Sequence, residues 1–490
     1  MSSGSLASKT IHELQELLAS KQVSPPDILE DVLAAIARAN PSLHAYLSVD
    51  ADRLRRQLKE QPPSAGEGRL RGIPITVKDN ICITGEETSC ASKILAGFRP
   101  PYDATVIARL KREGAILIPR ANMDEFAFGS STENSAFGPT RNPWATDRVP
   151  GGSSGGSATA VAADLTIAAL GSDTGGSIRQ PAAFCGVVGV KPTYGRVSRY
   201  GLVAFASSLD QIGPLAKDVT DAAIVLSVIA GHDPNDSTSA PVAVPDYAKE
   251  LKTPLKGARL GVPVLPEAGL DPEVKTAIRE AIAAFERLGY TTVPVELPHL
   301  AQSVETYYII ATAEASSNLA RYDGTQYGFR GSGNGGEGAL LEMHLRTRTD
   351  GFGAEAKRRI LLGTYVLSHG YYDAYYLKGM KVRTLIKNDF DKALTRCDAI
   401  VLPTAPTPAF RIGEKLSDPL QMYLSDIYTI SANLAGVPAL SMPCGFSREG
   451  LPIGLQLVAA PFKEDVLLRI AHAYEQATEW HRRTPVMSDK

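Results

Sequence analysis

The 490-residue sequence has few cysteines and almost no net charge. Its five cysteines are odd in number, scattered and free of any C-x-x-C pair, which excludes a disulfide framework and the ligand spacing of a zinc site. They are Cys82, Cys90, Cys185, Cys397 and Cys444. Because 51 lysines and arginines face 53 aspartates and glutamates, no overall positive field attracts a nucleic acid. We expect buried thiols in a reducing compartment, and any contact with nucleic acid as a local patch or through a partner.

Long apolar runs and targeting signals are also missing. No apolar stretch approaches about 18 residues, so the sequence predicts no membrane-spanning helix. The N-terminal MSSGSLASKTIHELQELL has neither the basic start and apolar core of a secretion signal nor the arginine-rich amphipathic pattern of an import leader. We expect a cytoplasmic protein that does not bind membranes.

The chain does contain a repeated alternation of helix and strand patterns. Strands are predicted at Ile73–Val77, Ala115–Ile118 and Thr166–Leu170, each next to a helical pattern, which indicates an α/β fold. An N-terminal helix is expected to begin after Ser24 and to end at Pro41. We predict one domain over 1–490, with helices at 10–60, a core at 70–220, a surface connection at 233–256, a mainly helical part at 300–395 and a glycine-rich surface loop at 328–338.

Two turns rich in glycine and serine carry the chemistry. GGSSGGS at 151–157 precedes an alanine-rich helix, and DTGGSIRQP at 173–181 follows the Thr166–Leu170 strand. Ligand sites in open α/β sheets gather at such strand ends. The first turn lacks the lysine of a phosphate-binding loop. Gly152, Ser154 and Gly156 match the G-x-S-x-G of α/β-hydrolases, but that motif needs a preceding strand and a loop precedes it here.

Another interpretation is that these are flexible loops whose serines only cap helices. Ser157, just before ATAVAAD, would then be an N-cap. Two such turns together with a lysine after a buried strand favour a catalytic role, because they supply a nucleophile, a relay and a base.

Lys78 follows the apolar Ile73–Val77 strand. A serine becomes a good nucleophile only when a base removes its proton, and lysine acts as a base only when it is neutral. Burial lowers the pKa of a lysine, and a shift of about 3 units costs roughly 4 kcal/mol. The backbone N–H groups of Thr174, Gly175, Gly176 and Ser177 can converge on one point and form an oxyanion hole, worth about 2.7 to 4 kcal/mol per donor.

These stretches together resemble the amidase-signature family. Its pattern is a lysine after an apolar strand, a GGSSGGS turn and a DTGGSIR-x-P turn, and here as in the family 24 residues separate the two turn serines. The resemblance implies a large twisted mixed β-sheet covered on both faces by α-helices. It implies a Ser-cisSer-Lys set with Ser177 as nucleophile, Ser153 as bridging serine and Lys78 as base. Asp173 and Arg179 would orient the turn structurally.

Within the family, the resemblance is closest to the branch formed by the A subunits of glutamyl-tRNA(Gln)/aspartyl-tRNA(Asn) amidotransferases. It extends through 314–330, 355–386 and 423–446. This branch uses glutamine as amide donor and holds its charged ends with a tyrosine, an arginine and an aspartate. The resemblance implies Tyr308, Arg358 and Asp426 for these roles, with Tyr307 and Arg359 as neighbouring alternatives.

The reaction implied by this resemblance is hydrolysis of the glutamine side-chain amide through a glutamyl ester on Ser177. The ammonia would reach a partner subunit that uses ATP and magnesium to convert Glu-tRNA(Gln) or Asp-tRNA(Asn). Subunits B and C would complete a heterotrimer, the partner would hold most of the tRNA, and this chain itself would bind no metal or cofactor. The alternative is a free-standing amidase acting on a small or acyl amide, which would not need Arg358 and Asp426. A non-catalytic scaffold is disfavoured because Lys78, Ser153 and Ser177 are all present.

Overall fold

In the computed structural model, the description covers residues 5–60, 68–265, 269–333 and 338–486. Residues 334–337 of the predicted glycine-rich loop therefore lie outside the described residues. The strands are β1 (Pro74–Lys78), β2 (Ile116–Ala121), β3 (Ala168–Asp173), β4 (Val188–Lys191), β5 (Gln211–Ala216), β6 (Arg259–Pro263), β7 (Thr291–Val295), β8 (Ala399–Pro403), β9 (Ala439–Phe446) and β10 (Pro452–Ala459).

Helices precede, follow and separate these strands. They are α1 (Ile11–Ala19), α2 (Pro25–Leu43), α3 (Ala51–Lys59), α4 (Thr105–Arg112), α5 (Gly155–Ala162), α6 (Arg179–Cys185), α7 (Val219–Ile229), α8 (Tyr247–Glu250), α9 (Pro272–Arg287), α10 (Ser303–Leu319), α11 (Ala339–Gly351), α12 (Ala354–Leu367), α13 (Lys378–Ala393), α14 (Pro419–Leu424), α15 (Ile430–Ala435) and α16 (Glu464–Gln476). Helices α10 to α13 occupy the part predicted to be mainly helical, and the 233–256 connection is irregular apart from α8.

The strands form a ten-stranded sheet in the order β2-β1-β3-β5-β4-β9-β10-β8-β6-β7. Pairing is parallel for β2-β1, β1-β3, β6-β7 and β6-β8, and antiparallel elsewhere, for example between β3 and β5. Successive side chains of a strand point to opposite faces. In β8, Ala399 and Val401 pack in one apolar cluster while Ile400 and Leu402 pack in another. Both faces of the sheet are therefore covered, and the predicted mixed α/β fold is confirmed.

The first strands begin and end later than predicted. Lys78 is the last residue of β1 rather than the residue after it. β3 extends beyond the predicted end at Leu170, because Gly171 to Asp173 pair with Gly213 to Gln211 of β5. These small and polar residues do not have a strand pattern in the sequence, so only the pairing with β5 identifies them as part of the sheet. As a result, β1 ends at Lys78, and β3 ends at Asp173, the first residue of the second glycine-serine turn.

Helix α2 begins after Ser24 as predicted, and Ser24 N–H donates to Asp27 Oδ2 at 2.8 Å. The prediction that it ends at Pro41 is wrong, since it continues to Leu43 and ends at His44, whose φ is 52°. A proline in the last turn removes only a single helical hydrogen bond, and the next residues can remain helical. The apolar side chains of α2 that share one face are buried, namely Ile28, Leu29, Val32, Leu33 and Ile36.

All five cysteines are buried and unpaired, as expected from their scatter. Among the described helices, none has the length and apolar character needed to cross a membrane.

Candidate active site

Lys78 reaches into a cluster of hydroxyl groups at the end of β1. Its Nζ lies 2.7 Å from Ser153 Oγ, 2.8 Å from Ser154 Oγ and 3.0 Å from Ser172 Oγ. The side chain is fully buried. Among the described residues, no carboxylate forms an ion pair with Lys78. The structure therefore brings the predicted base and bridging serine into direct contact.

The environment of Lys78 favours its neutral form. Burial lowers the pKa of Lys78 to about 7, although the charges of Asp124, Asp173 and Asp210 oppose this shift. A neutral amine carries a lone pair that can accept a proton, whereas an ammonium group can only donate. At neutral pH a substantial fraction of this lysine can thus act as a base.

The first glycine-serine turn positions Ser153 through a close backbone approach. A Cβ added to Gly152 would lie 2.2 Å from Asp124 Oδ2, so only glycine fits there. The peptide bond between Gly152 and Ser153 is cis, as the resemblance implies. The interpretation of Ser157 as an N-cap is wrong, because α5 begins at Gly155 and the Ser157 hydroxyl donates to Leu170 O at 3.0 Å.

The second turn is fixed by an ion pair between Asp173 and Arg179, both fully buried. Burial would raise the pKa of Asp173, but the guanidinium of Arg179 and several hydrogen bonds lower it to about 2. Arg179 also donates to the carbonyl of Thr429 at 3.0 Å. These contacts agree with the structural role expected for the pair.

The predicted oxyanion hole is only partly available. Gly176 N–H donates to Asp173 Oδ1 at 2.9 Å, so the expectation that it points at a substrate oxygen is wrong for this structure. The physical reason is that the Asp173 carboxylate folds back under the turn. The N–H groups of Thr174, Gly175 and Ser177 remain as candidates. Ser177 itself is 7% exposed, and its carbonyl accepts the Ser154 N–H at 3.1 Å, which joins the two turns.

An aromatic pocket adjoins this turn. A Cβ on Gly175 would lie 2.7 Å from Cζ of Tyr307, so the ring of Tyr307 covers the turn. Tyr308 stacks on Tyr423 with 3.8 Å between ring centroids. The Arg359 guanidinium lies 5.1 Å from the centroid of the Tyr308 ring. Both tyrosines thus line the region, Tyr307 against the turn and Tyr308 beside the arginine.

The position predicted for the pocket arginine is corrected from Arg358 to Arg359. The side chain of Arg358 is 44% exposed, whereas that of Arg359 is 3% exposed. Consecutive residues of an α-helix point about 100° apart, so only one of two neighbours on α12 can face the pocket. Glu355 lies one turn earlier on α12. Its Oε1 accepts hydrogen bonds from Arg359 Nε at 2.8 Å and from the Tyr423 hydroxyl at 3.1 Å.

Asp426 lies in the loop after α14 and is buried. Its Oδ2 accepts a hydrogen bond from the Ser130 hydroxyl, while its Oδ1 is buried and has no hydrogen-bond partner among the described residues. Burial raises the pKa of Asp426 to about 7. Thr429, three residues on, donates to the carbonyls of Gly175 and Asp426 at 2.7 and 3.0 Å. The backbone of Asp426 is therefore tied to the second turn through Thr429.

Several side chains of the site are not predicted by the sequence in the places they occupy. They are Asn80, Ser130, Ser154, Ser172, Tyr307, Glu355 and Tyr423. Tyr307 is the neighbouring alternative to Tyr308, and the sequence marks Ser154 only as the serine of a G-x-S-x-G match. Asn80 and Ser172 lie beside the motifs, two residues after Lys78 and one before Asp173, but no local pattern marks them as partners of the lysine. Ser130, Glu355 and Tyr423 make contacts that span many positions of the chain.

Within the described part of the chain, one group outside this site has metal-ligand atoms within 4.8 Å of one another, namely His12, Asp218 and Asp221. These atoms are already engaged, because Asp221 accepts the N–H of Ile11 at 2.7 Å and its Oδ1 lies 3.0 Å from His12 Nδ1. The hydrogen bond to Asp221 raises the pKa of His12 to about 9. We interpret the group as an ion pair that ties α1 to α7.

A sequence profile described as Amidase matches residues 27–468. The chain belongs to the amidase family. It is 58% identical over 479 residues to the A subunit of glutamyl-tRNA(Gln) amidotransferase from Thermodesulfovibrio yellowstonii, covering 97% of this chain and 98% of the relative. The corresponding protein from Moorella thermoacetica is 56% identical over 481 residues, covering 97% and 98% of the two chains.

Solved structures of amidases share the fold. The crystal structure of the A subunit of glutamyl-tRNA(Gln) amidotransferase from Thermotoga maritima is 43% identical with a TM-score of 0.82, and all of each chain is covered. A peptide amidase from Stenotrophomonas maltophilia is 32% identical with a TM-score of 0.83, covering 98% of this chain and 99% of that one. The amidase fold is thus shared by proteins whose names give different substrates, so the substrate has to be argued from the pocket.

Proposed function

We propose that this amidase is the glutamine-hydrolysing subunit of a tRNA-dependent amidotransferase. The observation that carries the proposal is the pair of buried, oppositely charged side chains, Arg359 and Asp426, in the pocket beside the second turn. Burial raises the pKa of Tyr308 above its usual range, and the charges of Arg359 and Asp426 both lie close enough to act on it. A free amino acid carries one carboxylate and one ammonium group, and this pocket offers one partner for each.

The pocket chemistry suits the two ends of glutamine. A guanidinium group binds a carboxylate through two parallel hydrogen bonds, so Arg359 would hold the α-carboxylate. The unpartnered Oδ1 of Asp426 would accept a hydrogen bond from the α-ammonium group. Because Asp426 is linked to Gly175 through Thr429, the side-chain amide of a glutamine bound this way would extend toward the second turn.

The proposed acylation step uses the hydroxyl cluster. Ser153 Oγ takes the proton from Ser177 and passes its own proton to neutral Lys78, while Ser177 Oγ forms a bond to the amide carbon. The free N–H groups of the turn stabilise the resulting oxyanion. The carbon–nitrogen bond then breaks, and the proton held by Lys78 returns through Ser153 to the leaving nitrogen. Ammonia and a glutamyl ester of Ser177 result.

Deacylation repeats these steps with water. Water attacks the ester carbon while its proton passes to the same relay, and the bond to Ser177 breaks to release glutamate. Both Ser177 and Lys78 return to their starting protonation states, so one glutamine and one water yield glutamate and ammonia.

The ammonia would be consumed by a partner, in a heterotrimer with subunits B and C. That partner would use ATP and magnesium to convert misacylated Glu-tRNA(Gln) or Asp-tRNA(Asn). An exposed apolar surface supports assembly with partners, since Leu361 is 70% exposed and Tyr365 packs its ring 4.4 Å from that of Tyr371. Large exposed apolar patches commonly mark protein interfaces. The near-neutral charge of the chain is consistent with a partner holding most of the tRNA.

The buried, unpaired cysteines support a reducing compartment, and we propose a cytoplasmic location.

The test is glutamate release from glutamine by the purified chain, alone and with subunits B and C, beside a Ser177→Ala control. We expect serine-dependent release that increases with the partners. Serine-dependent hydrolysis of other amides with no glutamine turnover would instead identify a free-standing amidase.

A further inference from the structure

The hydrogen bonds around Lys78 restrict which way each hydroxyl points. The Ser154 hydroxyl donates to the carbonyl of Ser172 at 3.1 Å, so its oxygen is free to accept from Lys78 Nζ at 2.8 Å. A hydroxyl has a single proton, and that of Ser154 is already used. Toward the lysine, Ser154 is therefore an acceptor.

Asn80 contacts the Ser172 hydroxyl. Asn80 Nδ2 donates to Ser172 Oγ at 2.9 Å, and Lys78 Nζ lies 3.0 Å from the same oxygen. All of these groups are buried, which excludes bulk water as an alternative partner. The Asn80 amide thus occupies one lone pair of Ser172 and leaves the other for the lysine.

Lys78 Nζ also lies 3.3 Å from the Ser172 carbonyl, which can only accept, so Ser172 offers the amine two acceptor oxygens. Neutral lysine has two N–H donors and one lone pair. If Ser154 and Ser172 accept the two N–H groups, the lone pair is left for Ser153, whose Oγ lies 2.7 Å from Nζ. This is the orientation in which Lys78 can take the proton of the bridging serine.

We infer that Ser154 and Ser172, together with Asn80 acting through Ser172, are positioning residues that aim the lone pair of Lys78 at Ser153. The inference rests on the proposed Ser177-Ser153-Lys78 mechanism but not on the identity of the amide. None of these residues exchanges a proton with the substrate.

The test measures activation of Ser177 without using glutamine. The full chain is treated with phenylmethylsulfonyl fluoride, and modification is followed by mass spectrometry, with Ser177→Ala as the site control. The Ser177 oxygen forms a bond to sulfur, fluoride leaves, and the serine proton passes through Ser153 to Lys78. The rate is expected to rise with pH as Lys78 becomes neutral, with a midpoint at about 7. Glutamine turnover by the wild-type chain is tested separately, so failure of the proposed substrate and failure of this inference remain distinguishable.

Ser172→Ala and Ser154→Ala are each expected to lower the plateau rate by about 10-fold to 100-fold. The midpoint should also shift to lower pH, because each serine stabilises the protonated amine more than the neutral one. Ser172→Thr keeps the hydroxyl and should restore the midpoint. Thermal unfolding checks the fold, and Ser154→Ala serves as the test if Ser172→Ala does not fold.

Asn80→Ala should lower the rate in the wild-type background but have no further effect on Ser172→Ala, because it acts only through that hydroxyl. Ser157→Ala is the matched control, since the Ser157 hydroxyl is buried and bonds Leu170 O. It should behave like the wild type. Rate losses at Ser154 and Ser172 with an unchanged midpoint, or additive effects of Asn80 and Ser172, would overturn the inference.

Discussion

Burial disfavours the charged form of both Lys78 and Arg359, but their pKa values shift in opposite directions. Lys78 is surrounded by hydroxyl groups, and burial lowers its pKa to about 7. Burial opposes the charge of Arg359 as well, but the surrounding Tyr308 and Glu355 hold its pKa above the usual value. The difference is the partner: Glu355 lies 2.8 Å from Arg359, whereas the oxygens that hydrogen-bond Lys78 within the described residues are neutral.

The difference in pKa suits the role proposed for each residue, Lys78 as a base and Arg359 as a carboxylate-binding cation. A base must lose its charge to accept a proton, so neutral acceptors around Lys78 orient it without holding it in the protonated state. A binding site for a carboxylate needs a permanent cation, and Glu355 together with the tyrosines keeps Arg359 charged in a buried place. Neighbouring regions with similar burial are therefore specialised by whether a carboxylate is within reach.

The largest expected effect comes from removing the amine of Lys78. Lys78→Ala should lower the rate of glutamate release by about 1000-fold or more, because no other group of the described residues contacts Ser153 as a base. Rates are measured under saturating glutamine, with thermal unfolding as the control for folding. A rate near that of the wild type would refute the assigned base.

Substitutions in the charged pocket should change the KM for glutamine instead. Arg359→Ala is expected to raise the KM for glutamine by about 10-fold to 100-fold, since a charge-assisted hydrogen bond contributes about 1.5 to 3 kcal/mol. Arg358→Ala is the matched control and should change KM by less than about 2-fold, because its side chain is 44% exposed. The reverse ranking would restore Arg358 as the pocket arginine.

Asp426 should make glutamine binding dependent on pH. Burial raises its pKa to about 7, so the carboxylate is ionised above that pH and protonated below it. In the Ser177→Ala chain, which cannot turn over, we expect the Kd for glutamine to rise about 10-fold per pH unit below 7. Asp426→Asn should bind weakly at every pH. Calorimetric titration at several pH values measures both, and a steep pH dependence that survives in Asp426→Asn would contradict the assignment.

The smallest expected effect concerns stability. The lowered pKa of Lys78 means that the unfolded chain binds a proton between pH 7 and 10.5 that the folded chain does not. The free-energy cost of burying protonated Lys78 is fully present below pH 7 and disappears as the pH rises toward 10.5. The free energy of unfolding of Lys78→Met relative to wild type should therefore decrease with rising pH by up to about 1.4 kcal/mol per unit. Denaturant unfolding between about pH 7 and 9.5 tests this slope, and a difference that stays constant would show that Lys78 is not buried as a neutral amine.

The catalytic region was largely predictable because its geometry is local. The lysine ends a strand, and each serine lies in a glycine-rich turn with a defined spacing, so the order of the motifs identifies Lys78, Ser153 and Ser177. The availability of Gly176 N–H was not predictable, because it depends on the direction in which the Asp173 carboxylate folds.

The pocket was less predictable because its residues come from separate helices. Arg358 and Arg359 are chemically identical in the sequence, and only the rotation of α12 selects Arg359. Ser130 reaches Asp426 across 296 positions in the chain, and no local pattern indicates that contact. The same holds for Glu355 and Tyr423, whose contact spans 68 positions.

The sequence by itself determined the α/β class, the family and the three residues of the proposed catalytic set, because glycine-rich turns and an apolar strand impose their chemistry locally. The tertiary structure decided which arginine faces the pocket, which backbone N–H groups are free and which hydroxyls surround Lys78. Those outcomes depend on helix rotation and on contacts between distant segments, and they are fixed only when the helices pack against the sheet.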